Sequence, residues 1–276
     1  MNVVTALRAV EGGRRGSSRP IVVETEAGAC LVKLRGAAQG TGPLVAEIIV
    51  AEIAESLGLS VPARYLVALG AEVDVPERDA ELRDLMAASV GVNLGFAYLA
   101  GARDLVPTEI QDVNADDRAA ILWLDRFVMN PDRTARNTNL LWWGNRLWLI
   151  DHGAALGFQY DWSSVSESST RSQSVEMDPH LFSGAVSIES MREWDDVFAA
   201  RLTREVLEAA VGQVPDTFLD AGEPDAFRRR RAAYSAFLWK RLKPPRAFAD
   251  LSVAPVPRAP RGGPPSWLLR RPRASS

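Results

Sequence analysis

The stretch NPDRTARNTNLLWWGNRLWLIDHG, residues 130–153, decides how this chain is built. Residues 139–143 and 146–150 are apolar, aromatic-rich runs separated by Gly144-Asn145, the pattern of a hairpin closed by a two-residue turn. With those two residues at the centre of the turn, Trp143 pairs with Arg146, and counting outward places Asp151 opposite Thr138, beside Asn137. Opposed alpha carbons in such a pair lie roughly 4.5 to 5.5 Å apart. Asp132 precedes Asn137 by five positions in a segment that cannot continue a helix, because Asn130 is followed by Pro131. Two carboxylates and an amide oxygen therefore converge on one small region. Carboxylates that close repel each other unless a cation joins them, and magnesium suits a cluster of hard oxygen donors completed by water and phosphate.

Upstream of the hairpin, residues 116–128 read as a helix capped by Asp116 or Asp117, with Ile121, Leu124, Phe127 and Val128 facing inward. The N-terminal region reads as a three-stranded meander over residues 3–10, 20–24 and 29–34, its first turn being the glycine-rich GGRRGSS. A break at 40–43 leads into a helix over 44–57, then a strand over 61–69, a surface helix within 74–90 and a connecting strand near 91–101. Beyond the hairpin, a serine-rich loop spans 162–184, and helices follow at 190–211 and 224–242. The organisation expected is 1–98 as a small lobe of β-sheet plus helix, 99–243 as a larger helical lobe, and 244–276 as a tail. That tail holds eight of the seventeen prolines and little periodic apolar content, so it reads as disordered.

Composition narrows the function classes. The 276 residues are 47% hydrophobic and 24% charged with a net charge of −3, the make-up of an ordinary globular chain with no overall field to recruit nucleic acid. The single cysteine, Cys30, excludes an intramolecular disulfide framework and reads as a small buried strand residue; with only His152 and His180 to join it, a structural zinc site is disfavoured. No apolar run reaches the roughly 18 residues needed to span a bilayer. The opening MNVVTALRAVEGG lacks the basic start and continuous apolar run of a secretory leader, so the expected setting is cytoplasmic, without a membrane partner.

The spacing of Asp132, Asn137 and Asp151-His152-Gly153 resembles the protein-kinase pattern of a catalytic aspartate, a metal-binding asparagine five residues on, and a metal-binding aspartate in an Asp-Phe-Gly triplet. More specifically, LDRFVMNPDRTARNTNLL is similar to the catalytic loop of the HipA-like kinases. The resemblance extends upstream. Gly16-Ser17-Ser18-Arg19-Pro20 looks like the phosphate-covering loop of that family, Lys33 stands where its nucleotide-pairing lysine does, and residues 46–62 are similar to its helix and exit. It implies an α+β, two-lobed protein-kinase-like fold with a small β-rich N-lobe and a larger helical C-lobe, using ATP and magnesium.

In that reading Asp132 is catalytic, Asn137 and Asp151 hold the metal, and Gly13, Gly16, Ser17, Ser18, Lys33 and Glu47 hold the nucleotide. Backbone amides of a glycine-rich turn approach phosphate closely, and a strand lysine supplies a point charge. The partner of Lys33 stays open between two residues: the helical wheel puts Glu52 at the edge of the apolar stripe and Glu47 away from it, whereas the resemblance favours Glu47. Arg133 and Arg136 are each placed to neutralise a transferring phosphoryl group or to serve the structure. The implied acceptor is a protein Ser or Thr; a small molecule or lipid, or a regulator that binds nucleotide without turnover, are the alternatives. Direct nucleic-acid binding is not expected, and a DNA-binding antitoxin-like partner is the kind of protein the resemblance suggests.

Overall fold

The computed structural model describes residues 1–12, 20–37, 39–73, 80–173, 179–219 and 224–252. Gly13, Gly16, Ser17 and Ser18, and the tail from 253, lie outside the described residues.

The expected sheet is a closed barrel. Strands β1 (Asn2–Gly12), β2 (Ile21–Thr25), β3 (Gly28–Lys33), β4 (Arg64–Leu69) and β5 (Gly91–Ala97) follow the order β1-β2-β3-β5-β4, and β1 returns to pair in parallel with β4. The closure comes from the length of β1. Its first residues, Asn2 to Thr5, pair with Tyr65 to Ala68 of β4, while Ala6 to Gly12 pair with β2 through two register irregularities. Such irregularities bend a strand and raise its twist, so one strand serves two partners that an open meander would keep apart. Alternate residues point inward, and Val4, Ala6, Ile21, Val23, Cys30, Val32, Val67 and Leu69 fill the barrel. Gly95 is required by space, because a Cβ there would stand 2.5 Å from Val67 Cγ2.

Helix α1 (Gly42–Ser56) lies between barrel and helices and is apolar nearly all round, with every residue from Leu44 to Ala51 buried. Helix α2 (Ala80–Ala87) closes the barrel's end with Leu82 and Met86. The C-terminal part is helical. Helix α3 (Ala115–Phe127) carries the large buried aromatics Trp123 and Phe127, and is capped by Asn114, whose side chain accepts the Asp117 N–H, in place of the expected Asp116 or Asp117. Those two aspartates occupy the first turn instead, where the helix dipole favours negative charge.

Strands β6 (Arg103–Asp104), β7 (Leu140–Trp143) and β8 (Arg146–Leu149) form a separate three-stranded sheet. The serine-rich stretch read as loop contains a short helix, α4 (Glu167–Arg171), begun by reciprocal bonds between Ser166 and Ser169. The single helix expected over 190–211 is two, α5 (Ile188–Arg201) and α6 (Arg204–Gly212). Leu202 leaves helical geometry, and the Thr203 side chain caps the new start by accepting the Val206 N–H. Helix α7 (Pro224–Leu242) ends with Arg241, buried, donating to the carbonyls of Arg126, Phe127, Thr170 and Ser172 and so closing the C-terminus of α3. Burial pulls its pKa down to about 10. Among the described residues no helix is long and apolar enough to cross a membrane.

The first residues of the segment expected as a tail are described, and they pack on the core. Proline content puts the boundary at 244, yet Phe248 is 1% exposed and sits edge-on to Trp123, 5.3 Å between centroids, and against Phe127. One aromatic ring with a pocket outweighs a polar, proline-rich context. Truncating it, Phe248→Ala, is expected to cost about 3 to 5 kcal/mol in urea unfolding; a change below about 0.5 kcal/mol would mean this segment is not part of the core.

Candidate active site

The hairpin forms in the register its turn demands. Leu140 pairs with Leu149, Leu141 with Trp148, Trp142 with Leu147 and Trp143 with Arg146, and the Ile150 N–H continues the ladder to Asn139 O at 3.1 Å. Gly144 and Asn145 both have positive φ, 55° and 60°, the geometry of the turn that matches the twist of the flanking strands. Asp151 is therefore delivered opposite Thr138, one position from Asn137.

The approach to the hairpin is set by α3. Its last turn closes when the Asn130 N–H bonds to Asp125 O at 2.8 Å, with Met129 in the left-handed region. Asp132 then receives Asn137 Nδ2 at 2.9 Å and Asn139 Nδ2 at 3.3 Å, both on Oδ2. With its nitrogen committed to Asp132, Asn137 keeps its amide oxygen, Oδ1, for another partner. Met129, Asn139, Asp151 and Leu156 are non-glycine residues with φ between 49° and 58°. A left-handed backbone at such residues persists where surrounding contacts over-determine it, and here the four bracket the loop and hairpin.

On the barrel side, Lys33 Nζ donates to Glu47 Oε1 and, at 2.6 Å, to Asp151 Oδ1. This resolves the two candidates for its partner. Glu52 pairs instead with Arg64 at the outer side of α1. The helical wheel misleads because α1 is buried on nearly every face, so an apolar stripe does not define its inner side. Glu47 Oε1 also accepts the Gly153 N–H at 2.9 Å, and a Cβ on Gly153 would lie 3.2 Å from Pro43 Cβ and 3.3 Å from that oxygen. The glycine lets the hairpin's exit touch the first turns of α1.

Burial pulls the Lys33 ammonium down, but its two carboxylates outweigh this and hold it above the usual lysine range, so it stays charged. Burial pushes Glu47 up. Burial also opposes ionisation of Asp151, yet Lys33 beside it wins and draws it below the usual range. The side chains differ in access: Lys33 is 9% exposed and Glu47 not at all, whereas Asp151 is 46% exposed.

Arg133 is not part of the Lys33–Glu47–Asp151 cluster. Its side chain is fully buried, bonding Asp125 Oδ2 at 2.6 Å, the Asn139 carbonyl and His152 Nδ1 at 3.4 Å, so it serves the structure of the loop; Arg136 is exposed. Burial, aided by the Arg133 cation, pushes His152 down to about 3, which keeps its ring uncharged behind Asp151. Asp125 and His180 bond at 2.9 Å beneath the loop, and neither is among the residues singled out from the sequence as candidates for the site. Asp125 does carry a signal, since a carboxylate four residues after Ile121 falls on the inward face of its helix and requires a buried cation. His180 carries none in its serine-rich surroundings.

With this geometry in place, comparison with known proteins settles the lineage. The profile of the HipA-like kinase family matches residues 7–222. The chain belongs to the HipA-like kinase family. It is thus a kinase by descent. The fold has a solved counterpart in the proinflammatory kinase CtkA of Helicobacter pylori, with a TM-score of 0.52 at 11% identity over 84% of this chain and 89% of that one. Among curated proteins, no sequence matches the chain.

Within this HipA-like kinase the Lys33–Glu47 pair is a charge interaction removed from water. Lys33→Met leaves Glu47 buried without its cation and is expected to cost about 3 to 5 kcal/mol at neutral pH. Burial already raises Glu47, and losing the ammonium raises it further; protonation in acid then relieves the defect, so the loss shrinks as pH falls. The double variant Lys33→Met/Glu47→Gln should recover most of the loss, read from urea midpoints as a coupling of about 2 kcal/mol or more.

Proposed function

We propose that this HipA-like kinase transfers the terminal phosphoryl group of ATP, with magnesium, to a Ser or Thr hydroxyl of a protein. The observation that carries the reading is the arrangement at the two ends of one hairpin. Lys33, a permanent cation held by Glu47, meets the half-exposed carboxylate of Asp151, while the register sets the Asp132–Asn137 pair beside it.

The donor set fits magnesium. Asp151 offers a solvent-accessible carboxylate and Asn137 an amide oxygen whose nitrogen is already committed, both hard oxygen donors, with water and phosphate to complete the shell. Asn137 and Asp151 are the residues that would hold the ion. When bound, magnesium neutralises charge on the phosphate oxygens.

The chain's own groups supply the rest. Lys33 pairs with phosphate oxygens, its position fixed by Glu47. By kinship with the family, Gly13, Gly16, Ser17 and Ser18, which lie outside the described residues, would supply backbone amides to the phosphates. Asp132, with Oδ2 engaged by Asn137 and Asn139, uses its other oxygen to orient the acceptor hydroxyl and take its proton. Positioning and charge stabilisation, rather than covalent chemistry by the protein, then carry the rate. A cytoplasmic setting, rich in ATP and magnesium, agrees with this reading, and the protein acceptor is inferred from kinship.

The test is intact mass after incubation with magnesium and ATP. The wild type is expected to gain phosphate, and Asp132→Ala to lose about 10² to 10⁴-fold in rate, the range for a positioned acid–base group. Asp151→Ala should also abolish the gain, through the metal. Absence of both a mass gain and magnesium-dependent ATP binding in the wild type would sink the proposal.

A further inference from the structure

What fixes Asp132 is a buried cluster beneath it, set apart from the Lys33–Glu47–Asp151 cluster. The Asp125 carboxylate, in α3, is fully buried and spends both oxygens on the loop. Oδ1 receives Asn130 Nδ2 at 2.8 Å; Oδ2 receives Arg133 Nε at 2.6 Å and His180 Nε2 at 2.9 Å. Asn130 in turn accepts the Asp132 backbone N–H on its Oδ1 at 3.1 Å. Asp132 is thereby bracketed, since Asn130 and Arg133 are both anchored to one carboxylate.

His180 arrives from far along the chain and binds in a defined orientation. Its Nδ1 accepts the Phe182 N–H at 3.1 Å, so the ring proton sits on Nε2 and points at Asp125. The backbone follows: the Leu181 N–H bonds to Arg133 O at 2.9 Å, and Thr134 pairs with His180 in an antiparallel bridge. Arg133 carries the constraint onward through its bond to the Asn139 carbonyl, where the hairpin begins. Apolar packing alone would give none of this direction, because dispersion does not distinguish one loop register from another.

We infer that Asp125 and His180 are a positioning pair, holding the loop of Asp132 in register with the Asn137–Asp151 hairpin and tying the segment around residues 180–182 to it. The kinetic consequence rests on the phosphotransfer reading above; the structural consequence does not. A misplacement of about 1 Å at a reacting group costs on the order of 10²-fold in rate.

The experiment compares His180→Leu, which keeps volume but removes the donor, with His180→Gln, which offers an N–H at similar reach. Hydrogen exchange is read at the amides of Asp132, Thr134 and Asn137, the last two bonded to each other's carbonyls at 2.9 and 3.2 Å. In His180→Leu these amides should exchange about tenfold faster or more while those of β2 and β3 stay unchanged, the sign of local rather than global opening. Turnover should fall about 10²-fold, with a smaller change in KM for ATP because Lys33 and Asp151 are untouched while Asn137 shares the loosened loop. His180→Gln should restore both. Unchanged loop exchange in His180→Leu, acceleration spread evenly over the barrel, or failure of glutamine to restore the loop would each overturn the inference. A wild type without phosphotransfer whose loop still responds to His180→Leu and recovers with glutamine would overturn the proposed reaction and leave the positioning pair standing.

Discussion

The Lys33 ammonium is the point on which the molecule turns. It bonds the barrel, helix α1 and the hairpin at once, through its own strand, Glu47 and Asp151. Apolar packing also joins the three, with Leu94 and Phe96 of β5, the buried residues of α1 and Leu140, Leu147 and Leu149 of the hairpin in one core, and the ion pairs add direction to that packing. Strand β3 is fixed by its barrel partners, α1 is buried on nearly all sides, and the hairpin belongs to another sheet. A buried cation with two carboxylates costs desolvation, and that cost is offset only when the geometry is met. The arrangement of barrel, helix and hairpin in this core is the one in which Lys33 meets both carboxylates.

The backbone around the site bears the same mark. Asn139 and Asp151 stand at the entry and exit of the hairpin, both left-handed, and left-handed Leu156 bonds through its N–H to the carbonyl of Val128, next to left-handed Met129, at 2.9 Å. Left-handed conformations at residues with a Cβ are costly one by one, by about 1 to 3 kcal/mol. Here backbone bonds and an ion pair hold them. The strain is localised where side chains must point in directions that regular strands and helices do not offer.

How much of this is legible in the sequence follows from the range of each signal. The hairpin register can be read because a two-residue turn fixes pairing locally, and the elements around it follow from periodicity and turn residues. Barrel closure cannot, because it depends on β1 bending to meet β4, a contact between strands that are remote in sequence. The Lys33 partner is readable only by kinship, since a helix buried on nearly every face has no single apolar stripe to mark its inner side. The break between α5 and α6 escapes because Thr203 caps locally while the apolar periodicity around it continues. Phe248 escapes for the opposite reason, a strong single contact within a stretch whose average composition argues for a tail. His180 has no local signal at all, since its role arises only where a distant segment meets α3.

Two ion clusters flank the loop and the hairpin, and they differ in how fully their groups are engaged. Beneath the loop, the buried carboxylate of Asp125 faces the Arg133 guanidinium and two further donors, with both oxygens engaged. Arg133 and His180 together pull Asp125 well below the usual carboxylate range despite its burial, so the cluster has no unfilled demand and serves as a foundation. Beside it, Lys33 supplies one positive charge against the carboxyls of Glu47 and Asp151. Burial resists charge on Glu47 while Lys33 favours it on Asp151, so negative charge is favoured on the exposed member of the cluster. The same chemistry, carboxylates paired with cations in low dielectric, thus yields a fully engaged anchor in one place and a solvent-accessible carboxylate in the other.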